Sequence, residues 1–404
     1  MDSFDQSVLD DEKTTLAELL KSKGFATACI GKWHLGWDWN AIKHPNAKPA
    51  KGEGGKNLGY APNDFDWTHP IPNGPLDHGF DYYFGDDVPN FPPYAWFEND
   101  RVITVPDVPL ATPKKTAEGN WEARPGPSVK DWDFWAVMPK LTEKYVEWIE
   151  KQSSDKPFFL YCPFTSPHAP IIPTEKFVGR SNAGGFGDYM AQTDDTVGQI
   201  LSALERKGLV QNTIVIFSAD NGPETYAYER IKNFNHRSMG PLRGLKRDIY
   251  EGGHRVPMII RWPYHVKPGT VHDGLISQID LFATLASIVG AEIPRGSAED
   301  SYNQVDMLSG KPSHRKTLVH NTNANGFALR HEDWVLIDAK SGYVSKSPPW
   351  HEEQDGYTAH KLPAELYNLR EDLAQRHNLL EQQSERVAEL RKMLAEIRSK
   401  GQVR

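Results

Sequence analysis

A helical pattern followed at once by an apolar strand recurs three times in this chain and limits the folds open to it. A capping box, Thr15-Leu-Ala-Glu18, opens a short helix that Gly24 ends before the strand-like FATACI. Helical spacing over 140–149 precedes an apolar strand at 157–164, and a helical stripe over 189–204 precedes a strand at 213–217. Such strands are typical of parallel sheets covered by helices, so we predict an α/β fold with a large, mostly parallel mixed sheet sandwiched by helices.

The pattern changes after Gly290 to short strands separated by turn residues. TLVH at 317–320, GFALR at 326–330 and WVLID at 334–338 indicate a smaller antiparallel sheet. A last helix is predicted over about 384–397, because its apolar residues recur on one face. We therefore predict a main domain over residues 1–300 and a C-terminal antiparallel-sheet subdomain with a terminal helix over 301–404.

Two long irregular stretches, 36–78 and 86–135, interrupt these elements and are rich in Gly, Pro, Asn, Asp and Trp. Loops of this length in a compact domain are usually functional or are linkers. Disordered segments are poor in aromatic residues, whereas these stretches carry seven tryptophans: Trp37, Trp39, Trp67, Trp96, Trp121, Trp132 and Trp135. We predict packed loops that wall a substrate cleft.

Composition excludes several classes of protein. A net charge of -8 without clustered Lys or Arg gives no electrostatic footprint for nucleic acid, and no apolar stretch is long enough to span a membrane. The two cysteines, Cys29 and Cys162, lie in apolar runs and are predicted to be buried free thiols. The acidic N-terminal stretch is unlike a signal peptide, so either the protein stays inside the cell or its true N-terminus is absent from this sequence.

Charged and coordinating residues follow four apolar strands, where ligands bind in open α/β sheets. Lys32 and His34 lie in GKWHLG directly after FATACI, and His168 lies in SPHAP after FFLYCPF. Each could equally be an ordinary loop residue. Asp220 and Asn221 follow TIVIFS and suit a hard cation such as calcium, although Asp-Asn-Gly also makes a good turn. We predict that these strand ends lie on the edge of one sheet.

The fourth group precedes the strand MIIRW. Lys246 in GPLRGLK could hold an anionic group or be solvated. Further substrate contacts are plausible at Asn235, His236, Arg237 and His254, with a structural role as the alternative at each.

Taken together, GKWHLG, SPHAP, FSADNGP, GPLRGLK and YEGGHRVP resemble the sulfatase family of the alkaline-phosphatase-like superfamily. The resemblance extends to DHGFDYYFG at 77–85, ISQIDLFATLASIVG at 276–290 and ELYNLREDLAQRHNL at 365–379, and so spans nearly the whole chain. It implies an alkaline-phosphatase-like fold and hydrolysis of a sulfate monoester of a sulfated sugar or an aryl sulfate. For a full-length family member, a periplasmic or secreted location is expected.

The resemblance also implies roles for individual residues. Lys32 and Lys246 match the two lysines that neutralise the sulfate oxygens, as compact point charges can. His168 matches the histidine that shares a proton with the leaving-group oxygen, and His34 matches the base that partners the nucleophile. Asp220 and Asn221 match two ligands of a calcium ion that acts as a Lewis acid.

The sequence departs from the family pattern in one respect. Sulfatases use a cysteine or serine in a Cys/Ser-x-Pro-x-Arg motif that is oxidised to formylglycine, and a pair of aspartates that completes the calcium site. Neither the motif nor that pair is found here, because Cys162-Pro-Phe-Thr-Ser lacks the spacing and the arginine. A truncated sequence would explain this, and so would a catalytically inactive protein that binds sulfated glycans. A phosphomonoesterase or phosphonate hydrolase of the same superfamily is a further alternative.

Overall fold

A computed structural model describes residues 2–51, 57–110, 116–121, 123–322 and 326–404. Parts of the predicted long loops, residues 52–56, 111–115 and 122, lie outside the described residues. The chain divides into two compact units, residues 1–210 with 291–297 and residues 211–290 with 298–404. The predicted domain boundary lies at residue 300 and so assigns residues 211–290 to the N-terminal domain. This boundary stays a prediction.

The first unit contains three helices and nine strands within the described residues. Several short 3-10 turns, such as Pro75–His78, connect them. The elements are α1 Leu16–Ser22, β1 Ala26–Lys32, β2 Ala50–Lys51, β3 Asn57–Gly59, β4 Tyr82–Asp87, β5 Phe97–Glu98, β6 Arg101–Val102, β7 Val108–Pro109, β8 Pro127–Ser128, α2 Val137–Glu150, β9 Phe158–Tyr161 and α3 Gly184–Arg206.

The main sheet of this unit has the strand order β6-β5-β4-β1-β9. Strand β1 pairs in parallel with both β4 and β9, whereas β5 and β6 add antiparallel pairs at one edge. The predicted capping box is present at the start of α1, where the Thr15 side chain accepts from the Glu18 amide and the Glu18 side chain accepts from the Thr15 amide. The α/β class with a mixed sheet is thereby confirmed.

Aromatic residues of the long loops form much of the core of this unit. Trp37 and Trp39 are buried, and the Trp37 ring stacks on Phe97 with centroids 5.4 Å apart. Phe65 and Trp67 join the same cluster. The described parts of these loops are therefore packed, as predicted, because their rings supply apolar surface that strands of two to seven residues do not.

The second unit contains the remaining described elements. They are β10 Val215–Ser218, α4 Tyr226–Phe234, α5 Glu251–His254, β11 Met258–Arg261, α6 Asp280–Ile288, α7 Val305–Leu308, β12 Thr317–Asn321, β13 Phe327–His331, β14 Trp334–Ile337, α8 Pro349–Asp355, β15 Glu365–Asn368 and α9 Ser384–Lys400. Strands β12 to β15 form an antiparallel sheet in chain order. One apolar face of α9, which includes Leu390 and Leu394, packs against Leu329, Leu336 and Leu366 of that sheet. The predicted C-terminal antiparallel sheet with its terminal helix is confirmed.

One prediction about the sheets is wrong. The sequence placed all four motif-bearing strand ends on one sheet, but β10 pairs with β11 in an antiparallel sheet of two strands within the described residues. An apolar run reveals that a strand is buried but not which strand it bonds to, since that depends on residues distant in sequence. Within the described ranges, no helix is long and apolar enough to cross a membrane.

Candidate functional site

The loop that carries Lys32 and His34 leaves the end of β1, and close backbone contacts fix its start. Gly31 has a φ of 125°, and a Cβ atom there would overlap the carbonyl oxygen of Pro163. The Lys32 amide donates to that same carbonyl oxygen at 2.8 Å. This bond joins the Lys32 loop to the segment after β9 that leads to His168, so the structure brings these two predicted segments together.

His168 lies in a loop between two cis-prolyl bonds, and its side chain is partly exposed. Its Nδ1 lies 2.7 Å from the Ala169 carbonyl oxygen, which fixes Nδ1 as the protonated nitrogen if the ring is neutral. Ser166, two residues earlier, shares a 2.6 Å hydroxyl hydrogen bond with Thr193 of α3. The ring is therefore held so that Nε2 is the nitrogen that exchanges a proton when the neutral form becomes charged.

Two buried carboxylates at the end of β4 stand beside Lys32, and the sequence analysis did not identify them. Asp86 is 2% exposed and Asp87 is 8% exposed. In the described part of the chain, neither Asp86 carboxylate oxygen accepts a hydrogen bond from another residue. Burial raises the pKa of Asp86 to about 7, with a further increase from Asp87 and a decrease from Lys32. An acidic pair directly after the apolar run YYFG was the available signal.

Asp87 differs from Asp86 in having donors within reach. Its Oδ1 accepts from the Trp37 indole at 3.2 Å and from the His34 amide at 3.4 Å. Burial raises the pKa of Asp87 to about 6, and these two hydrogen bonds and the Lys32 charge oppose the increase. The ammonium of Lys32 thus lies within the electrostatic reach of two buried carboxylates.

The Asp220–Asn221 turn and Lys246 belong to the second unit, and backbone contacts bring them together. The Gly222 amide donates to the Gly253 carbonyl at 2.9 Å, and the Lys246 amide donates to the Pro223 carbonyl at 2.9 Å. Gly222 has no space for a side chain, because a Cβ atom would overlap the Gly252 carbonyl oxygen. The glycines of DNG and EGG are therefore steric requirements of this loop pair.

Asp220 and Asn221 have the oxygen donors that calcium prefers, but calcium takes six to eight ligands. Among the described residues, no group of three or more His, Cys, Asp or Glu side chains could hold a metal ion. Asp220 and Asn221 can supply only part of a calcium coordination shell, so the chemistry proposed below includes no step through a metal. Their assignment as two ligands of such a site stays a prediction.

The other suggested substrate contacts have structural partners. Asn235 is the left-handed C-cap of α4, with a φ of 52°, and the His236 amide donates to the Arg230 carbonyl at 3.3 Å. Arg237 forms a bidentate ion pair with Asp355, both hydrogen bonds measuring 2.7 Å. These contacts give each of the three residues a structural role that needs no ligand. A substrate role for Asn235 and His236 stays a prediction.

His254 is also in a structural setting. Its ring packs against that of His320 at an interplanar angle of 46°, with centroids 3.9 Å apart, and the Nε2 atoms of both rings lie within hydrogen-bonding distance of the Ile249 carbonyl. Burial lowers the pKa of His254 to about 4 and that of His320 to about 3, so both rings are neutral near pH 7. A neutral, partly buried pair that shares one carbonyl is a packing arrangement of the second unit.

Comparisons with known proteins agree with the motifs. The sulfatase family model matches residues 3–291. An N-acetylgalactosamine-6-O-sulfatase from Bacteroides thetaiotaomicron is 29% identical over 433 residues, covering 97% of this chain and 78% of that protein. Human arylsulfatase A is 30% identical over 383 residues, covering 91% of this chain and 67% of that protein.

A solved structure gives the same result at the level of the fold. It is described under the metabolism of multiple glycosaminoglycans by Bacteroides thetaiotaomicron, and it superposes with a TM-score of 0.77 at 27% identity. The match covers 98% of this chain and 85% of that structure. The chain therefore belongs to the sulfatase family, whose members are hydrolases acting on sulfate esters.

Proposed function

We propose that this chain binds the sulfate ester of a sulfated sugar and, given a formylglycine nucleophile, hydrolyses it. The observation that carries the proposal is the Lys32–His34 loop, which the hydrogen bond from the Lys32 amide to Pro163 ties to the segment bearing His168. A cation, a base and a proton-sharing histidine are the groups that a sulfate ester needs beside its nucleophile. The names of the relatives, one of which acts on N-acetylgalactosamine 6-O-sulfate by its description, favour a sulfated amino sugar.

The roles proposed for the side chains follow their chemistry. Lys32 and Lys246 neutralise the sulfate oxygens as compact cations, which favours the transition state as charge moves toward the leaving group. His168 shares a proton with the leaving-group oxygen through Nε2, since Nδ1 is engaged by the Ala169 carbonyl. His34 acts as the base toward the nucleophile. Sulfatases generally use calcium and formylglycine, and Asp220 and Asn221 are proposed as two calcium ligands.

We expect this sequence to differ in its binding of sulfate esters and in its ability to hydrolyse them. The 404-residue chain contains no Cys- or Ser-x-Pro-x-Arg motif, so the formylglycine precursor is absent from it. Loss of a nucleophile removes the covalent pathway but leaves the groups that bind the anion. We therefore expect ligand binding from this chain without hydrolysis.

A thermal-shift experiment tests the proposal. N-acetylgalactosamine 6-sulfate should raise the melting temperature of the purified chain by mass action, whereas unsulfated N-acetylgalactosamine should not. Lys32→Ala and Lys246→Ala should each remove the shift, and the charge-matched surface variant Lys151→Ala should keep it. A larger shift with the 6-phosphate than with the 6-sulfate would favour a phosphate-ester hydrolase instead.

Hydrolysis gives a second, independent test. We expect no release of nitrophenol from 4-nitrophenyl sulfate by the 404-residue chain. Robust release that is lost on His168→Ala would show that a residue of this sequence acts as the nucleophile. Sulfate-dependent stabilisation without hydrolysis, even after a formylglycine-bearing segment is supplied, would favour a sulfated-glycan-binding protein.

A further inference from the structure

The residues at the junction of β1 and β4 adopt backbone conformations that non-glycine residues rarely adopt. His34 has a φ of 52°, and Asp87 has a φ of 57°. The register between the two parallel strands shifts between Ile30 and Lys32, which leaves Lys32 opposite Asp87. Conformations of this kind persist only where surrounding contacts hold them, and they are frequent at functional sites.

Asp87 supplies these contacts from both its backbone and its side chain. Its carbonyl oxygen accepts from the Trp33 amide at 2.9 Å. Its Oδ1 accepts from the His34 amide and from the indole of Trp37, at 3.4 Å and 3.2 Å respectively. Asp87 therefore accepts hydrogen bonds from three residues of the loop that follows β1, Trp33, His34 and Trp37.

The two donors to the side chain meet a single carboxylate oxygen, which distinguishes this contact from ordinary strand pairing. Strand pairing needs only the backbone bond to Trp33, so the side chain adds restraint further along the loop. Trp37 is fully buried and cannot move to another acceptor without repacking the aromatic core. The carboxylate oxygen that accepts from the His34 amide is thus also held by a side chain of the buried aromatic core.

We propose that Asp87 is a positioning residue, whose Oδ1 fixes the loop that presents Lys32 and His34 to the sulfate ester. This inference rests on the proposed function. In this role the carboxylate acts through the loop conformation, by its contacts with the His34 amide and the Trp37 indole. Displacing binding groups by about 1 Å can reduce catalysis or binding by orders of magnitude, so a restraint of this kind has a measurable effect.

Two substitutions separate geometry from charge. Asp87→Asn keeps an Oδ1 acceptor in the same place but removes the charge, whereas Asp87→Ala removes the acceptor. We expect Asp87→Ala to weaken the binding of inorganic sulfate by about tenfold or more, measured by titration calorimetry, and Asp87→Asn to restore affinity to within about threefold of wild type.

Asp81→Ala provides the matched control. Asp81 lies just before β4, and its carboxylate accepts from the Thr27 amide at 3.1 Å, at the opposite end of the same β1–β4 pair. It should lower the melting temperature while leaving sulfate affinity within about threefold. Equal loss of affinity in Asp87→Ala and Asp81→Ala would overturn the proposal, because both would then act only through stability. Failure of Asp87→Asn to restore binding would also overturn it.

Hydrogen exchange keeps the inference testable if the proposed function fails. If wild type binds no sulfate, exchange of the His34 amide and the Trp37 indole still reports the restraint. Asp87→Ala should accelerate both relative to wild type and Asp81→Ala, and Asp87→Asn should not. Unchanged protection in Asp87→Ala would show that the Asp87 side chain does not hold the loop.

Discussion

The two loops that carry the predicted anion-binding lysines are held in different ways. Around Lys32 the Asp87 side chain adds to the backbone hydrogen bonds. Asp87 accepts from the loop through Oδ1, and Asp86 is buried next to it with no hydrogen-bond donor from another residue in the described part of the chain. Asp87 thus restrains the loop through hydrogen bonds, while the burial of both carboxylates carries an electrostatic cost.

Around Lys246 the restraint comes from the backbone and from one buried carboxylate that is fully hydrogen-bonded. Two amide-to-carbonyl hydrogen bonds of 2.9 Å hold the turn that contains Asp220, and Gly222 and Gly252 allow the chains to approach closely. The Asp248 carboxylate is buried in this loop, but each of its oxygens accepts hydrogen bonds at 2.8 Å, Oδ2 from the Leu245 amide and Oδ1 from the Val344 and Ser345 amides. The Lys32 loop should therefore respond strongly to loss of the Asp86 charge, whereas the Lys246 loop, whose buried carboxylate is hydrogen-bonded, should respond mainly to added side-chain volume.

The largest expected effect is on the Lys32 side of this comparison. The folded-state pKa of Asp86, about 7, lies above its unfolded value, so its contribution to stability is fully present only at low pH and is lost as the pH rises toward 7. Asp86→Asn should therefore raise the free energy of unfolding at pH 8 by on the order of 4 kcal/mol.

The gain from Asp86→Asn should shrink to about 1.5 kcal/mol at pH 5, where most folded molecules already carry the proton. Urea denaturation of wild type and variant at both pH values measures this. A variant that is less stable than wild type at pH 8 would mean that the charge of Asp86 is compensated in solution.

Adding a side chain at Gly222 should destabilise the loop pair that holds Lys246. Gly222→Ala places a Cβ atom against the Gly252 carbonyl and should cost about 3 kcal/mol of unfolding free energy at any pH between 5 and 8. Gly198→Ala in α3 is the matched control, since no atom lies within 4 Å of the added methyl. It should stabilise the chain by about 0.5 to 1 kcal/mol, because Ala favours helix. Equal effects of the two substitutions would contradict the contact at Gly222.

Removing each lysine side chain compares the loops directly. Lys32→Ala removes the charge that lowers the pKa of both Asp86 and Asp87, and should cost about 2 kcal/mol at pH 8 and less at pH 5. Lys246 is held through its backbone and is partly exposed, so Lys246→Ala should cost less than about 0.5 kcal/mol. A similar, pH-independent cost for both variants would show that the two lysines are in equivalent environments.

A modest effect, outside both lysine loops, should come from the cap at the start of α1. Thr15→Ala removes the acceptor for the Glu18 amide and should cost about 1 kcal/mol by urea denaturation. Thr15→Ser keeps the hydroxyl and should cost less. Because this cap belongs to neither lysine loop, sulfate affinity should not change, which makes Thr15→Ala a further control for loop-specific effects.

Much of the local structure could be predicted from sequence. The cap at Thr15, the strand ending at Lys32 and the stripe over α9 follow from rules that act within one or two turns of chain. Strand β15 was not predicted, because ELYN shows neither a clear alternation nor turn residues on both sides. Its place in the sheet comes from pairing with β14.

The candidate site was predicted in part. Sequence motifs identified Lys32, His34, His168 and Lys246, but the Asp86–Asp87 pair lies one residue beyond the segment 77–85 that resembles the family. An acidic pair after a strand usually indicates a solvated turn. Only tertiary packing shows that both carboxylates are buried, because the residues that exclude water from them are distant in sequence.

Residue identity and short-range spacing were enough to establish the α/β class, the family and the chemical types available at each strand end. The tertiary structure was needed to show that β10 pairs with β11, that Asp87 holds the Lys32 loop, and that Asp86 is buried without a donor from another described residue. The physical reason is that hydrogen-bond partners and desolvation are set by contacts between segments far apart along the chain, which local pattern does not encode.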